Sequence, residues 1–206
     1  KEVIVLDDGS TDGSLEIIQS FVPSIKWVST KNLGGNHARN QLLNLATGEW
    51  IQYLDGDDYL REDKIAQQLS EGCPIEDHDV LFSPVIEETW IGDRRTSTRK
   101  HTFDSNTDLY RLWLQWRVAQ TGTVLWRKTA LTAIGGWNED VTICQDNEVT
   151  KRAIQARLRF QFTPSANAVY RVWSDETVCR RDPEALCRAK TGLLDEMLRW
   201  LDDHGL

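Results

Sequence analysis

Residues 3–13 read Val3-Ile4-Val5-Leu6-Asp7-Asp8-Gly9-Ser10-Thr11-Asp12-Gly13. Four apolar, largely β-branched residues run straight into an acidic turn that contains glycine. An unbroken run of this kind predicts a buried parallel strand that ends in a tight loop. A helix is predicted next, with Leu15, Ile18 and Val22 on one face and Ser10 or Thr11 as its cap. The pattern then repeats. Residues 25–29 predict a second strand. Gly34-Gly35 opens a helix with Ala38, Leu42 and Leu45 at helical spacing, stopping near Thr47-Gly48. Trp50-Ile51-Gln52-Tyr53-Leu54 is a third strand, ending in Asp55-Gly56-Asp57-Asp58, and residues 63–69 form a short helix. Alternating strands and helices imply an α/β fold, with a parallel sheet and right-handed crossovers. Ligands of such sheets collect at the carboxyl ends of the strands. Both acidic clusters lie there, so they can share one cleft.

The second half is less regular. Residues 80–90, 99–103, 121–126, 160–162 and 168–173 predict strands, and residues 148–156 a helix. Leu109, Leu112, Trp113 and Trp116 share one helix face, which reads as core. The last helix is amphipathic through Leu186, Ala189, Leu193, Leu194, Met197 and Leu201. No repeat or low-complexity tract interrupts the 206 residues, so the chain reads as one domain.

Acidic residues outnumber basic ones, 32 to 24, for a formal charge of −8. That sign argues against nucleic acid as a partner and leaves acids to serve cations. Cys73, Cys144, Cys179 and Cys187 make no Cys-x-x-Cys pair and have no zinc-finger spacing, so they read as thiols of a reducing, cytoplasmic compartment. No apolar run is long enough to span a membrane. Peripheral contact with the inner membrane face remains open.

Four segments can carry chemistry. In Asp55-Gly56-Asp57-Asp58, carboxylates one residue apart can hold a hard divalent cation against a diphosphate; the plain alternative is an acidic turn. An EF-hand is excluded, because its glycine position holds Leu60 and its last acid position holds Ala66. At Asp7-Asp8 a carboxylate can accept from a base N–H or a ribose hydroxyl; the alternative is a capped turn with solvated aspartates. Residues 32–40 offer a glycine pair and helix start to a phosphate, with Arg39 one turn in, or merely a turn. Gly135-Gly136-Trp137-Asn138-Glu139 precedes Cys144-Gln145-Asp146-Asn147-Glu148, where Asp146 is either a reactive carboxylate or a helix cap.

In their order and separation these segments resemble glycosyltransferase family 2, of the GT-A fold. The resemblance runs from Val3 to about Arg171 and includes Ala46-Thr47-Gly48-Glu49-Trp50-Ile51. It implies a Rossmann-like, mixed, mostly parallel sheet flanked by helices. It also implies a nucleotide-binding half over 1–70, an acceptor and catalytic half over 71–180, and a C-terminal amphipathic helix over 181–206. By this resemblance Asp7, Asp8, Arg39 and Asp55 would bind the nucleotide, and Asp57, with Asp58 as second ligand or support, would hold Mn2+ or Mg2+. Asp146 would be the catalytic base of an inverting transfer from a nucleotide-sugar, UDP-linked, to a hydroxyl of a sugar, a lipid-linked sugar or another acceptor. Polysaccharide or glycoconjugate synthesis would be the setting. Trp137, after the glycine pair, would be the acceptor-side aromatic. A binding-only domain of the same fold and a sugar nucleotidyltransferase are the alternatives.

Three departures stand out. Gln145 replaces the usual glutamate before Asp146. Trp173 stands where the family often has a histidine after Tyr-Arg-x, so the ion should have fewer protein ligands, or Trp173 should pack over the donor; His101 and His204 should not bind the ion. The family's opening strand and helix also have no counterpart before residue 2. That strand lies between residues 2–6 and 50–54, so its absence should leave them roughly 9–10 Å apart and unpaired, as part of a longer protein.

Overall fold

The computed structural model describes residues 1–104, 107–118, 120–165, 167–173 and 182–206. Strand β1 (Ile4–Asp7), helix α1 (Ser14–Ser20), β2 (Lys26–Ser29), α2 (Gly35–Leu45) and β3 (Trp50–Gln52) follow the expected alternation. Then come β4 (Tyr59–Leu60), α3 (Lys64–Glu71), β5 (Val80–Phe82), β6 (Val85–Ile91), β7 (Arg94–His101) and α4 (Leu109–Leu114). The order closes with β8 (Val124–Arg127), α5 (Lys128–Ala133), α6 (Gln145–Gln155), β9 (Phe160–Phe162), β10 (Ala168–Val172) and α7 (Pro183–Asp203).

The strands form three sheets: β1-β2, β4-β10-β6-β7 and β3-β8-β5-β9. The first seventy residues therefore contribute strands to all three sheets. β1 runs parallel to β2, whereas β3 pairs antiparallel with β8. Among the described residues no ladder joins β1 to β3, as the spacing argument expected. β1 is only partly buried, except at Asp7. Residues 121–123 form a 3-10 turn, not strand, and β7 starts earlier than expected, at Arg94.

The core sits under the third sheet. Every residue of β5 is buried, and Val124, Leu125 and Trp126 of β8 join it. Helices α4, α6 and α7 close it with Leu112, Trp113, Val149, Ala153, Leu193 and Met197. Trp113 has no exposed surface, and its indole N–H donates to Asn147 O at 3.1 Å, so one helix anchors the next. The core reading of Trp113 therefore holds, while Trp116 is only partly buried. By contrast, α1 buries no residue fully, and Ile17, Phe21 and Val22 stay exposed. Its start is not capped by Ser10 or Thr11. Asp12 Oδ1 instead accepts from Ser14 N at 3.0 Å.

Gly9 fixes how the β1 loop meets the β2–α2 loop. Its φ is +77°, and a Cβ there would lie 2.7 Å from Asn32 N. Gly9→Ala should therefore cost about 1–3 kcal/mol of stability, read by denaturant unfolding; an unchanged midpoint would show that the two loops can separate freely.

Candidate functional site

The two acidic clusters are built differently. Asp7 is 4% exposed, and it accepts from Ser10 N at 3.1 Å and Ser29 Oγ at 2.8 Å. These donors hold its carboxyl below the usual range. Turned inward and satisfied, Asp7 fastens β1 to β2. Asp8 accepts from Leu33 N at 2.9 Å and Gly34 N at 2.8 Å. The N–H of Gly34 at the opening of α2 is thus occupied by Asp8 rather than open to a phosphate. Asp8 remains partly exposed.

Arg39, one turn into α2, is the hub of the site. Its guanidinium donates to Asp55 Oδ1 at 2.8 Å, to Gln145 Oε1 at 2.8 Å and to Asn36 Oδ1 at 3.1 Å. It lies 4.7 Å from the ring centre of Trp137. Gly35 packs on this junction, with room for no larger side chain without moving Arg39 NH1, 3.2 Å from a would-be Cβ. With Gln145 in place of an acid, Arg39 meets one carboxylate rather than two.

Trp137, the expected acceptor-side aromatic, is enclosed by its neighbours. It is 3% exposed, packed edge-on against Tyr53 at 5.4 Å and covered by Arg39. Its loop is clipped to α2 by asparagines. Asn36, itself buried, donates to Asn138 O and Val141 O, and Asn40 accepts from Trp137 N at 2.8 Å and donates to Trp137 O. Gly136, with φ +68°, sits so close that a Cβ would meet Asn40 Oδ1 at 2.6 Å.

Asp146 is the second residue of α6, after Cys144 in the left-handed region at φ +59°. Its Oδ1 accepts from Thr121 Oγ1 at 2.7 Å. Burial first, then the negative charge of Asp55, pushes its carboxyl up to about 6; Arg39 and the Thr121 hydrogen bond oppose them. The next residue back, Gln120, donates to Asp58 Oδ2 at 3.0 Å, and Arg171 N donates to Asp58 Oδ1 at 2.8 Å. Arg171 Nε in turn reaches the carbonyl oxygen of Asp57. Asp55, Arg39, Gln145, Asp146, Thr121, Gln120, Asp58, Arg171 and Asp57 thus follow one another, and Gly56 closes the circuit of hydrogen bonds and peptide links back to Asp55.

Within that circuit Asp58 braces rather than reaches. It is 7% exposed, and both its carboxylate oxygens already accept protein donors, which favours the supporting role over that of a ligand. Burial pushes its carboxyl up to about 7, helped by Asp57 and Asp55. A raised folded value means that stability from this group is fully present below its unfolded pKa and is lost as pH rises towards 7. Asp58→Asn should therefore melt higher than the parent at pH 8 in chelator, by up to roughly 4 kcal/mol, with the gap closing towards pH 4. The Gln120 amide can turn over to serve the asparagine, since its Oε1 is a buried acceptor that lacks a donor among the described residues. Equal gaps at both pH values would contradict this.

Asp57 is exposed and Asp55 partly so. Among the described residues no group of three or more His, Cys, Asp or Glu side chains is placed to hold a metal ion. Two carboxylates one residue apart on a loop nevertheless fit Mg2+ or Mn2+, ions that keep waters and phosphate oxygens in their shell. His101 pairs with Glu87 at 3.3 Å and His204 with Trp200 O at 2.7 Å, so neither belongs to this donor set. Trp173 stacks on Trp90 at 5.2 Å, with the Arg171 guanidinium 4.7 Å from its ring centre. Below them Glu88, 1% exposed, accepts from Tyr59 Oη, Trp90 Nε1 and Arg95 NH1. The Trp173 position is thus a braced aromatic wall beside Asp57. Cys73, Cys144 and Cys187 form no disulfide, and Cys179 lies outside the described residues.

The sequence model described as Glycosyl transferase family 2 matches residues 1–132, and the chain belongs to that family. It is 38% identical over 86 residues to the cholesterol galactosyltransferase of Borreliella burgdorferi, covering 40% of this chain and 24% of that one. It is 40% identical over 73 residues to the chondroitin synthase of Escherichia coli, covering 34% and 11%. The chain thus spans less than a third of the curated relatives it matches. In structure it resembles S. aureus TarS in complex with UDP-GlcNAc, with TM-score 0.69, 19% identity and 97% and 63% of the two chains covered. It also resembles the mannosyltransferase PcManGT of Pyrobaculum calidifontis in complex with GDP-Man and Mn2+, at TM-score 0.57, 18% identity and coverage of 82% and 47%. At these identities the likeness establishes the GT-A fold. Among the described residues no helix is long and apolar enough to cross a membrane.

Proposed function

We propose that the chain carries the donor-binding and catalytic residues of an inverting glycosyltransferase. It moves a sugar from a nucleotide-sugar donor, a UDP-sugar, to an acceptor hydroxyl. The observation that carries this reading is the closed circuit from Asp55 to Asp57 described above. It joins the raised-pKa carboxylates of Asp146 and Asp58, the Arg39 guanidinium and the exposed acidic loop near the same strand ends.

In this reading Asp8, Arg39 and Asp55 orient the nucleoside, with Arg39 positioned by its own contacts to Asp55 and Gln145. Asp146 takes the proton from the acceptor oxygen as that oxygen attacks the anomeric carbon. Thr121 holds the Asp146 carboxylate in place for that step. A divalent ion on Asp57, with Asp55, would neutralise the charge that builds on the departing diphosphate. Glycoconjugate or polysaccharide synthesis in the cytoplasm, at or near the membrane face, is the setting that fits.

The test is nucleotide release. UDP-glucose, UDP-galactose, UDP-GlcNAc and GDP-mannose are each incubated with the chain, with Mn2+ or with chelator, and free nucleotide diphosphate is measured. Metal-dependent release from one donor is expected. Tight donor binding with no release in any condition favours a binding-only domain. Release of pyrophosphate from a nucleoside triphosphate and a sugar phosphate favours a nucleotidyltransferase.

A further inference from the structure

Helix α3 turns polar residues inward. The residues it buries fully are Lys64 and Gln68, each 2% exposed, while Ile65 and Leu69 are only partly covered. Four positions apart, the two polar side chains leave the same face of the helix. Burial pulls the Lys64 ammonium down to about 7, and among the described residues no carboxylate pairs with it. A methionine or leucine at either position would avoid the loss of hydration, so the polar atoms need a reason to be there.

What they hold is the 3-10 turn at residues 121–123, in which every residue is buried. Gln68 Nε2 donates to Thr123 O at 3.0 Å. Lys64 acts through Gln52 at the end of β3. Its ammonium donates to Gln52 Oε1, and Gln52 Nε2 donates to Gly122 O at 3.2 Å. With its oxygen held by a donor, the Gln52 amide must present its NH2 to the turn. The turn runs directly into the carboxylate circuit. Thr121 Oγ1 donates to Asp146 Oδ1 at 2.7 Å, and Gln120 Nε2, one residue earlier, to Asp58 Oδ2 at 3.0 Å. Two consecutive carbonyls are gripped from α3, and the two side chains before them meet the buried carboxylates.

We propose that Lys64 and Gln68 are positioning residues for the base: through Gln52 and directly, they fix the turn that aims Thr121 at Asp146; this rests on the transferase reading above. The argument turns on satisfaction of the buried carbonyls. A buried carbonyl that loses its donor is re-satisfied only by moving the backbone that carries it. Thr121 would move with it, and a hydrogen bond weakens steeply as its angle opens. The consequence for Asp146 has a definite sign. Burial and Asp55 raise its carboxyl, while Arg39 and Thr121 hold it down. A loosened turn removes one of the two opposing influences, so the carboxyl becomes both less acidic and less well aimed.

The test follows the titration of Asp146 itself, by carboxyl-carbon NMR on the whole chain labelled at aspartate, with Asp146→Asn to assign the resonance. Lys64→Met and Gln68→Met remove the polar atoms and keep the length of the side chain. Thr121→Val removes the final hydroxyl and sets the size of the full effect. Leu69→Ala loosens the same helix by packing alone. In both methionine variants Asp146 should titrate about one pH unit higher than in the parent, the scale of one weakened hydrogen bond to a charged group. Gln68 carries no charge, so its effect cannot be a Coulomb one. Where the parent transfers sugar, kcat near pH 6 should fall about tenfold in these variants, with KM for the donor changed less than about twofold. Leu69→Ala should lower the melting temperature and leave the Asp146 titration in place. The proposal is overturned if Thr121→Val or both methionine variants titrate as the parent does, if Leu69→Ala moves the titration equally, or if neither methionine variant folds. Absence of transfer by the parent with every donor would instead defeat the transferase reading, while the NMR titration still decides whether α3 positions Asp146.

Discussion

Replacing Asp146 with asparagine is expected to lower sugar transfer by roughly 10²–10⁴ while leaving donor affinity within a few fold. The substitution keeps the shape of the side chain and an oxygen for Thr121 Oγ1, which now lies 2.7 Å from Asp146 Oδ1. It removes only the ability to take a proton. The pH profile gives an independent check. Burial and then Asp55 push this carboxyl up to about 6, and only its ionised form can act as a base. Transfer by the parent should therefore fall as pH drops through about 6, approaching tenfold per unit on the acid side. The asparagine variant should lack that limb. If the variant keeps both the rate and the limb, Asp146 is a helix-start carboxylate and the base lies elsewhere.

Asp57→Asn should remove nearly all metal-dependent transfer, by 10²-fold or more, because an exposed anionic ligand is replaced by a neutral one. A binding measurement separates this from loss of fold. Mn2+ affinity in the presence of UDP, followed by calorimetry, should weaken at least tenfold, with the melting temperature unchanged in chelator. The second expectation follows from position. Asp57 is exposed, and the contact described for it runs from Arg171 to its backbone carbonyl. Full transfer by the parent in excess chelator would end the metal reading outright.

The fold class and most element positions were legible because periodicity and breakers are local signals. β1, α2, α3, α6 and α7 fall within a few residues of where the sequence puts them. Sheet membership was not legible, since pairing depends on residues far apart. Nothing in Trp50-Ile51-Gln52 says that its partner is Leu125-Trp126-Arg127, running antiparallel. The same limit shaped the site. The acidic loops and Asp146 were visible as motifs, but their duties depend on who reaches them. Asp7 read as a nucleotide contact and Asp58 as a second ligand or a support, and in the fold each accepts from donors that arrive from other elements. Trp137 read as the acceptor-side aromatic because it follows two glycines, and in the fold Arg39 covers its ring. Gln120 and Thr121 carried no sequence signal at all, although they connect the two ends of the circuit. The buried Lys64, pulled down to about 7 by burial and donating to Gln52, was equally invisible among the polar residues of an ordinary helix start.

The ribbon of β1 and β2 has a thermodynamic meaning of its own. Two paired strands, carrying a helix that buries no residue fully, are marginal as an independent unit, so their amides should exchange with solvent long before those of β5 and β8. The residues that would cradle the nucleoside therefore belong in part to a segment with low local opening energy, moored by Asp8 and Gly9 to the loop before α2 and by Glu2 to Thr47. A ligand that bridges Asp8 and Arg39 would spend part of its affinity on closing that segment, and would in return slow its exchange. Donor affinity should then weaken with warming more steeply than a rigid pocket would allow, well below the temperature at which the tryptophan-rich core melts.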